Sequence, residues 1–105
     1  MSQAHIVPDP EALAAALVTL PGWRHEDRKL HKEFVFADFV EAFGWMTQVA
    51  LHAEKLGHHP EWFNVYRTVR VALQTHDVTP PQVTSTDLEL ARHMDRLAHR
   101  DARGS

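Results

Sequence analysis

Apolar and polar residues follow one another along this chain with two periods, one typical of helices and one typical of strands. The segment Asp9–Glu11 supplies a helix N-cap, a proline at the first helical position and an acidic first turn. Apolar residues then recur at helical spacing at Leu13, Ala16, Leu17 and Leu20. We therefore expect a helix over Pro10–Leu20, which Pro21-Gly22 ends.

Two strands are predicted after this helix. Trp23–Asp27 is a short candidate strand, and a longer one begins after the turn-like residues Glu26-Asp27-Arg28. One face of the longer strand carries Leu30, Lys32, Phe34 and Phe36, and the other carries His31, Glu33 and Val35. This alternation predicts an antiparallel hairpin.

The strongest helix signal begins at Asp38. Asp38 and Glu41 have the spacing of a capping box, and Gly57 is suited to end the helix because glycine adopts the left-handed conformation without a Cβ clash. Apolar residues between them recur at helical spacing at Phe39, Phe43, Met46, Ala50 and Ala53. We expect this stripe to face the sheet.

The last part of the chain predicts two more strands and a third helix. Phe63–His76 is rich in strand-forming residues, and a break near Arg67-Thr68 divides it into two strands. After an extended loop, Thr84 and Asp87 form a second capping-box match. Apolar positions continue this helix to about His99 at Ala91, Met94, Leu97 and Ala98.

The predicted order of elements is therefore α-β-β-α-β-β-α. Because it lacks regular βαβ alternation, the pattern favours an α+β fold, with a four-stranded antiparallel sheet and three helices packed on one face. A chain of 105 residues has room for one such core, so we expect residues 1–105 to form a single domain.

Composition narrows the class of protein. The chain has no cysteine, which argues against a disulfide scaffold or a zinc finger and fits a reducing cytoplasm. Its net charge of -3 provides no basic field for nucleic acid, and no apolar run predicts export or a membrane span. Nine histidines are many for this length, and they indicate either proton transfer or metal binding.

The candidate site consists of Glu54, His58, His59 and His76. Pro60 restricts the backbone of His59, so the tandem histidines lie in a segment of limited freedom just after the second helix. His76 comes at the end of a predicted strand, which can return it to the same end of the sheet.

Glu54 lies nearly in line with Val40 and Thr47 on the second helix, because the three are separated by seven residues. We expect its carboxylate to point toward the border of the core, beside the predicted apolar stripe. The alternative is an ion pair with a neighbouring cation at the helix surface.

These residue types suit general acid–base catalysis, because one imidazole can donate a proton while another accepts one near neutral pH. Zinc binding by three histidines is the rival interpretation. Neighbouring histidines in an extended segment tend to point apart, however, and the chain has no His-Glu-x-x-His helix. We therefore favour proton chemistry and predict no metal site.

Trp62 lies close to this segment and offers a flat surface to a planar heterocycle, although aromatic residues are more often part of a core. Asp87 already has a structural role in its capping box, so we do not expect it to be catalytic. The remaining histidines are expected to be solvated: His5, His25, His31, His52, His93 and His99.

The segment Ala53–Tyr66, followed by Thr75-His76-Asp77, closely resembles the pterin-4a-carbinolamine dehydratase family. The family pattern is an acidic residue, three spacers, His-His-Pro, an aromatic residue, a third histidine and a later aspartate. It falls here on Glu54, His58, His59, Pro60, Tyr66, His76 and Asp87. The resemblance extends from Trp23 to Leu97. One departure is Val78–Val83, which is slightly longer than the Gly-Gly-Leu-type loop common in the family.

The resemblance implies a hydro-lyase that dehydrates 4a-hydroxytetrahydrobiopterin to the quinonoid dihydropterin and so recycles a tetrahydropterin, with no metal or organic cofactor. It implies that His58, His59 and His76 are catalytic or position the substrate, and that Glu54 and Trp62 contribute to the pterin cleft. It also implies an α+β fold that assembles as a homo-oligomer, a tetramer or a dimer. The alternative is a non-catalytic interaction protein on the same scaffold, either a transcription-factor dimerisation cofactor or a carboxylase assembly chaperone.

Overall fold

The computed structural model describes residues 5–104, with side chains as far as His99. The elements follow one another in the predicted order. They are α1 (Pro10–Val18), β1 (Arg24–Glu26), β2 (Lys29–Val35), α2 (Phe39–Leu56), β3 (Glu61–Val65), β4 (Thr68–Leu73) and α3 (Ser85–Gly104).

The four strands form one antiparallel sheet in the order β1-β2-β4-β3. In the centre, β2 pairs with β4 from Leu30 opposite Leu73 to Val35 opposite Thr68. At one edge β3 pairs with β4, and Glu61 lies opposite Ala72. The three helices cover one face of this sheet, so the predicted α+β fold is confirmed.

The predicted helix starts are confirmed by their hydrogen bonds. Asp9 accepts a hydrogen bond from the backbone N–H of Ala12 at 2.8 Å, and Asp38 accepts one from Glu41 at 2.8 Å. Each bond satisfies a backbone donor that has no partner within its helix. The first helix ends at Val18, two residues earlier than predicted.

Both hairpin turns lie where the sequence predicted them. In the second turn Tyr66 has φ +52°, and the side-chain amide of Asn64 donates to the carbonyls of Tyr66 and Thr68 at 3.1 and 2.9 Å. An asparagine two residues upstream therefore holds a turn that contains neither glycine nor asparagine. The predicted span of these two strands was Phe63–His76. In the structure they begin two residues earlier, at Glu61, and end three residues earlier, at Leu73.

The buried stripe of α2 differs from the predicted one. The buried residues are Ala42, Trp45, Val49, Ala53 and Leu56, a stripe about 80° around the helix from the predicted one. Ala53 belongs to both stripes and Met46 packs against the core, whereas Phe39, Phe43 and Ala50 are exposed. Both stripes have helical spacing, and Trp45 decides between them because it packs on Phe34 and Phe36 with ring centroids 4.5 and 5.1 Å away. Its indole N–H also donates to the carbonyl of Met94 on α3 at 3.1 Å.

As a result, α2 has a second apolar face that is exposed. Phe39 and Phe43 lie there with ring centroids 5.6 Å apart, although both were expected in the core. Large exposed apolar residues on this helix are Phe39, Val40, Phe43 and Leu51. The predicted stripe of α3 is confirmed, since Ala91, Met94 and Leu97 are buried.

Candidate active site

The end of α2, the start of β3, the end of β4 and the start of α3 lie at one end of the sheet. Glu61 begins β3 opposite Ala72, near the end of β4, and a side-chain contact joins His58, just after α2, to Asp87 in the first turn of α3. His76 lies beside Glu61 at this end, so the prediction that the chain returns it to the same end of the sheet as His58 and His59 is confirmed.

Gly57 sets the position of His58. It has φ +66°, and its N–H donates to the carbonyl of Glu54 at 3.2 Å. The N–H of His58 donates to the carbonyl of Ala53 at 3.1 Å, so the two bonds complete a Schellman motif. Because His58 is part of this motif, its backbone is held by the end of the helix and its ring turns toward α3.

A hydrogen bond joins His58 to Asp87 in the interior. The His58 Nε2 atom lies 2.6 Å from Asp87 Oδ1, His58 is only 8% exposed, and Asp87 is fully buried. Asp87 Oδ2 accepts from the Thr75 hydroxyl at 2.7 Å and from the Thr84 N–H at 2.9 Å. An ionised carboxylate only accepts hydrogen bonds, so His58 Nε2 carries the proton that points to Asp87.

Two threonine hydroxyls extend this network. Because the Thr75 hydroxyl donates to Asp87, the Thr84 hydroxyl, 2.7 Å from it, must donate to Thr75. The backbone of Thr75 also pairs with Gln82 through bonds of 2.9 and 3.2 Å, which close the loop that contains Pro80-Pro81. The carboxylate beside His58 is therefore fixed by the strand end, the loop and the helix cap together.

His59, the next residue, lies on the surface. Its Nε2 atom is 2.9 Å from Glu54 Oε1, and the two side chains are 64% and 81% exposed. The expectation that Glu54 points toward the core border is wrong, because the buried stripe of α2 lies elsewhere on the helix. Glu54 lies at the helix surface, as the alternative interpretation expected, and the contact observed there is with His59.

His76 is 67% exposed and lies beside Glu61, with 3.6 Å between Nε2 and Oε2. The Glu61 carboxylate also accepts a hydrogen bond from Lys29 at 2.8 Å. That hydrogen bond, together with the charges of Lys29 and His76, lowers the pKa of Glu61, although burial acts in the opposite direction. Glu61 thus remains ionised next to His76 at neutral pH.

Trp62 is half-buried and faces the core, with its ring centroid 6.2 Å from that of Trp45. Trp62 therefore makes core contacts, the alternative to a role as a flat surface for a ligand. A depression of about 270 Å³ borders Glu61 and Trp62 on the sheet. A larger groove of about 1180 Å³ lies elsewhere, beside Lys32 and Asp95, and none of the predicted site residues lines it.

Three residues near the site were missed from the sequence or given another role. Asp87 has its expected capping bond and also binds His58, so the two roles were not alternatives. Glu61 could have been noticed from its place directly after Pro60. His5 was expected to be solvated, but its ring centroid lies 5.8 Å from that of His58.

His52 and His93 were also expected to be solvated, and they instead stack between α2 and α3 with centroids 3.5 Å apart. Burial lowers the pKa of both rings, and nearby Arg96 lowers both further. Within the part of the chain that the structure describes, no three histidine, aspartate or glutamate side chains converge as a metal site. None of the described helices is both long enough and apolar enough to cross a membrane.

Comparisons with known proteins identify the family of this chain. The family model described as pterin 4 alpha carbinolamine dehydratase matches residues 8–97. This chain belongs to the pterin-4a-carbinolamine dehydratase family.

Similar proteins occur in several bacteria. A protein from a Jannaschia species, provisionally named a pterin-4-alpha-carbinolamine dehydratase, is 52% identical over 86% of this chain and 94% of its own length. One from a Bradyrhizobium species with the same provisional name is 57% identical over 84% of this chain and 88% of its own. A crystal structure from Brucella melitensis, described as a transcriptional coactivator/pterin dehydratase, is similar with a TM-score of 0.82 at 44% identity and covers 88% of this chain and 98% of that one.

Most positions of the dehydratase family pattern lie at the end of the sheet described above. His58 and Asp87 form the buried pair, and His59 and Glu54 the exposed pair. Tyr66 is the exception, because it lies in the turn at the opposite end of β3. In this chain the histidines and carboxylates of the family pattern therefore lie at one end of the sheet, and its aromatic residue, Tyr66, lies at the other.

Proposed function

We propose that this protein dehydrates a 4a-hydroxytetrahydropterin to the quinonoid dihydropterin and water. The observation that supports this function best is that three histidines, each beside a carboxylate, lie at one end of the sheet. The pairs are His58 with Asp87, His59 with Glu54, and His76 with Glu61. Their imidazoles suit a reaction that needs one proton delivered and another removed at the same pH.

The reaction balances with proton transfer alone. An acid protonates the hydroxyl on C4a, and the C–O bond breaks with its electron pair leaving in water. The lone pair of the neighbouring ring nitrogen forms a carbon–nitrogen double bond, and a base removes the N–H proton of the resulting cation. No electrons pass to or from another molecule.

Exposure separates the roles of the three histidines. His59 and His76 are largely exposed, so they can meet a bound pterin and exchange protons with water. His58 is buried, and its Nε2 proton is committed to Asp87. In this proposal His59 and His76 transfer protons, and the His58–Asp87 pair supports the segment that carries His59. Glu54 orients His59, and Trp62 borders the depression beside Glu61, where the pterin would lie.

The test is the rate of 4a-carbinolamine dehydration by wild-type protein and by the double variant His59→Ala/His76→Ala. Loss of an acid and a base should lower kcat by at least about a hundredfold. The control variant is His25→Ala, because His25 is exposed on β1 at the opposite edge of the sheet from β3. Wild-type activity in the double variant would contradict the proposal, as would an equal loss in the control.

The same experiment addresses the non-catalytic alternative. The Brucella melitensis relative is described both as a coactivator and as a dehydratase, so the description of that protein does not separate the two functions. A purely non-catalytic protein would not accelerate dehydration, and the histidine variants would behave like the control.

We also propose a cytoplasmic location, which fits a chain without cysteine.

We further propose that the protein forms a homo-oligomer. The exposed apolar face of α2, with Phe39, Val40, Phe43 and Leu51, is the kind of surface that homo-oligomers bury. Sedimentation equilibrium should give an oligomeric mass for the wild type and a smaller mass for Phe43→Glu. The control is Val18→Glu, which adds the same charge at an exposed apolar position on α1. A monomeric wild type would contradict self-association.

A further inference from the structure

The segment before α1 is attached to the first turn of α3. The Ser85 N–H donates to the carbonyl of Ile6 at 2.8 Å, and the Ile6 N–H donates to the Ser85 hydroxyl oxygen at 3.1 Å. These two bonds hold Ile6, and with it the neighbouring His5, against the first turn of α3, which also carries Asp87.

His5 is enclosed by three parts of the site. Its Nδ1 atom lies 2.8 Å from the Thr86 hydroxyl oxygen, and its Nε2 atom lies 3.4 Å from Asp77 Oδ2. Its ring faces the ring of His58 at 5.8 Å with a 47° tilt. The side chain is only 15% exposed. His5 therefore contacts the residue before Asp87, the residue after His76, and His58 itself.

Two contacts hold the ring of His5. Its Nδ1 atom shares a hydrogen bond with the buried Thr86 hydroxyl on α3. Its Nε2 atom lies at ion-pair distance from the Asp77 carboxylate in the loop after β4. The two contacts hold the ring over His58 from α3 on one side and from the loop on the other.

We propose that His5 is a positioning residue that covers His58 and keeps water away from the His58–Asp87 pair. A hydrogen bond shielded from water is stronger and better ordered than an exposed one. His5 acts through His58 and does not take part in proton transfer itself. The effect on catalysis rests on the proposed function, whereas the covering of His58 does not.

The test is acylation of the intact full-length protein with diethylpyrocarbonate, with the modification of His58 and His59 followed by peptide mass spectrometry. In the wild type, His58 should react much more slowly than the exposed His59. In His5→Ala, acylation of His58 should become faster by about fivefold or more, since loss of one hydrogen bond raises an open population by that order. The rate at His59 should not change.

A second variant guards against a general loss of folding. Asp77 is exposed, so Asp77→Asn leaves the core intact while it removes the charge that faces His5 Nε2. It should increase acylation of His58 in the same direction as His5→Ala. The matched control is His25→Ala, which should leave His58 as slow as in the wild type.

The outcomes separate this proposal from the proposed function. Unchanged acylation of His58 in His5→Ala, or an equal rise at His59, would overturn the covering role. In an active enzyme His5→Ala should lower kcat severalfold with KM unchanged, and an unchanged kcat would overturn the positioning role. If the wild type lacked dehydratase activity, the proposed function would fail, and the acylation rates would still decide whether His5 covers His58.

Discussion

His58 and His59 are consecutive residues in opposite surroundings. His58 is buried, and it contacts a carboxylate that is itself fixed by two threonines and a helix cap. His59 is exposed, and it contacts Glu54, which is also exposed. Gly57 and Pro60 on either side determine this difference, because one fixes the end of α2 and the other restricts His59.

This difference predicts that His58 contributes mainly to stability and His59 mainly to activity. Removing one partner of a buried hydrogen bond leaves the other polar group unsatisfied, whereas an exposed pair contributes little to folding. We therefore expect substitutions around His58 to affect folding first, and substitutions of His59 to affect activity without affecting folding. Three predictions test this division and a fourth contrasts it with the His52–His93 stack, from the largest expected effect to the smallest.

Asp87→Ala should lower the free energy of unfolding by about 3 kcal/mol or more, because it leaves the buried His58 Nε2 atom, the Thr75 hydroxyl and the Thr84 N–H without their carboxylate. The measurement is urea unfolding followed by circular dichroism. The control is Asp38→Ala, which removes a helix-capping carboxylate without a buried histidine and should cost about 1 kcal/mol. Equal losses in the two variants would mean that Asp87 is only a cap.

Thr75→Val should cost about 1–3 kcal/mol, since it keeps the shape of the side chain but removes a donor to Asp87 and the acceptor for Thr84. Thr47→Val is the matched control, because Thr47 is exposed and its hydroxyl binds only the Phe43 carbonyl of its own helix. That control should stay within about 0.5 kcal/mol of the wild type. A Thr75→Val protein as stable as the control would show that the hydroxyl network does not support His58.

The stacked and half-buried His52 and His93 offer a contrast to His58. Burial lowers the pKa of both rings, Arg96 adds to this in both, and Glu89 opposes it in both. Lys55 lowers the pKa of His52 further, and the charge of His52 lowers that of His93. The unfolded chain therefore binds protons at higher pH than the folded one. Stability should be complete above the ordinary histidine pKa of 6.5 and fall as pH decreases toward the lowered values.

His93→Phe keeps a ring in the stack and removes one titrating group, so it should reduce the loss of stability between about pH 7.5 and about pH 5.5. The measurement is the free energy of unfolding against pH, with His25→Ala as a control that should retain the wild-type slope. A slope in His93→Phe as steep as in the wild type would mean that the stack does not set the acid sensitivity.

His59→Ala should change the free energy of unfolding by no more than about 0.5 kcal/mol, because its ring and its partner Glu54 are exposed. Its dehydration rate should nevertheless fall by about a hundredfold. Thermal unfolding and kcat are measured on the same preparation. A large loss of stability would remove the distinction between His58 and His59.

Local signals in the sequence predicted most of the fold. Asp9, Asp38 and Gly57 mark helix ends through their own backbone and side-chain bonds, which depend on few neighbours. The buried face of α2 could not be predicted in the same way. Two faces have apolar residues at helical spacing, and only the position of the sheet and of α3 shows that Trp45 is in the core.

The histidines of the candidate site could be selected from the tandem pair and its flanking residues, but their partners could not. The contact of His58 with Asp87 joins residues 29 positions apart, and that of His5 with Thr86 joins residues 81 apart. Such pairs depend on how α3 and the N-terminal segment pack. Asp87 shows a further limit, since its evident capping role concealed its contact with His58.

We propose above that the histidines at this end of the sheet transfer the protons needed to dehydrate a pterin carbinolamine. The most direct measurement is the rate of 4a-carbinolamine loss with purified wild-type protein, compared with buffer at the same pH and buffer concentration. We expect acceleration by at least about a hundredfold, the contribution of a positioned acid or base. A rate equal to that of buffer alone, from folded protein, would contradict it.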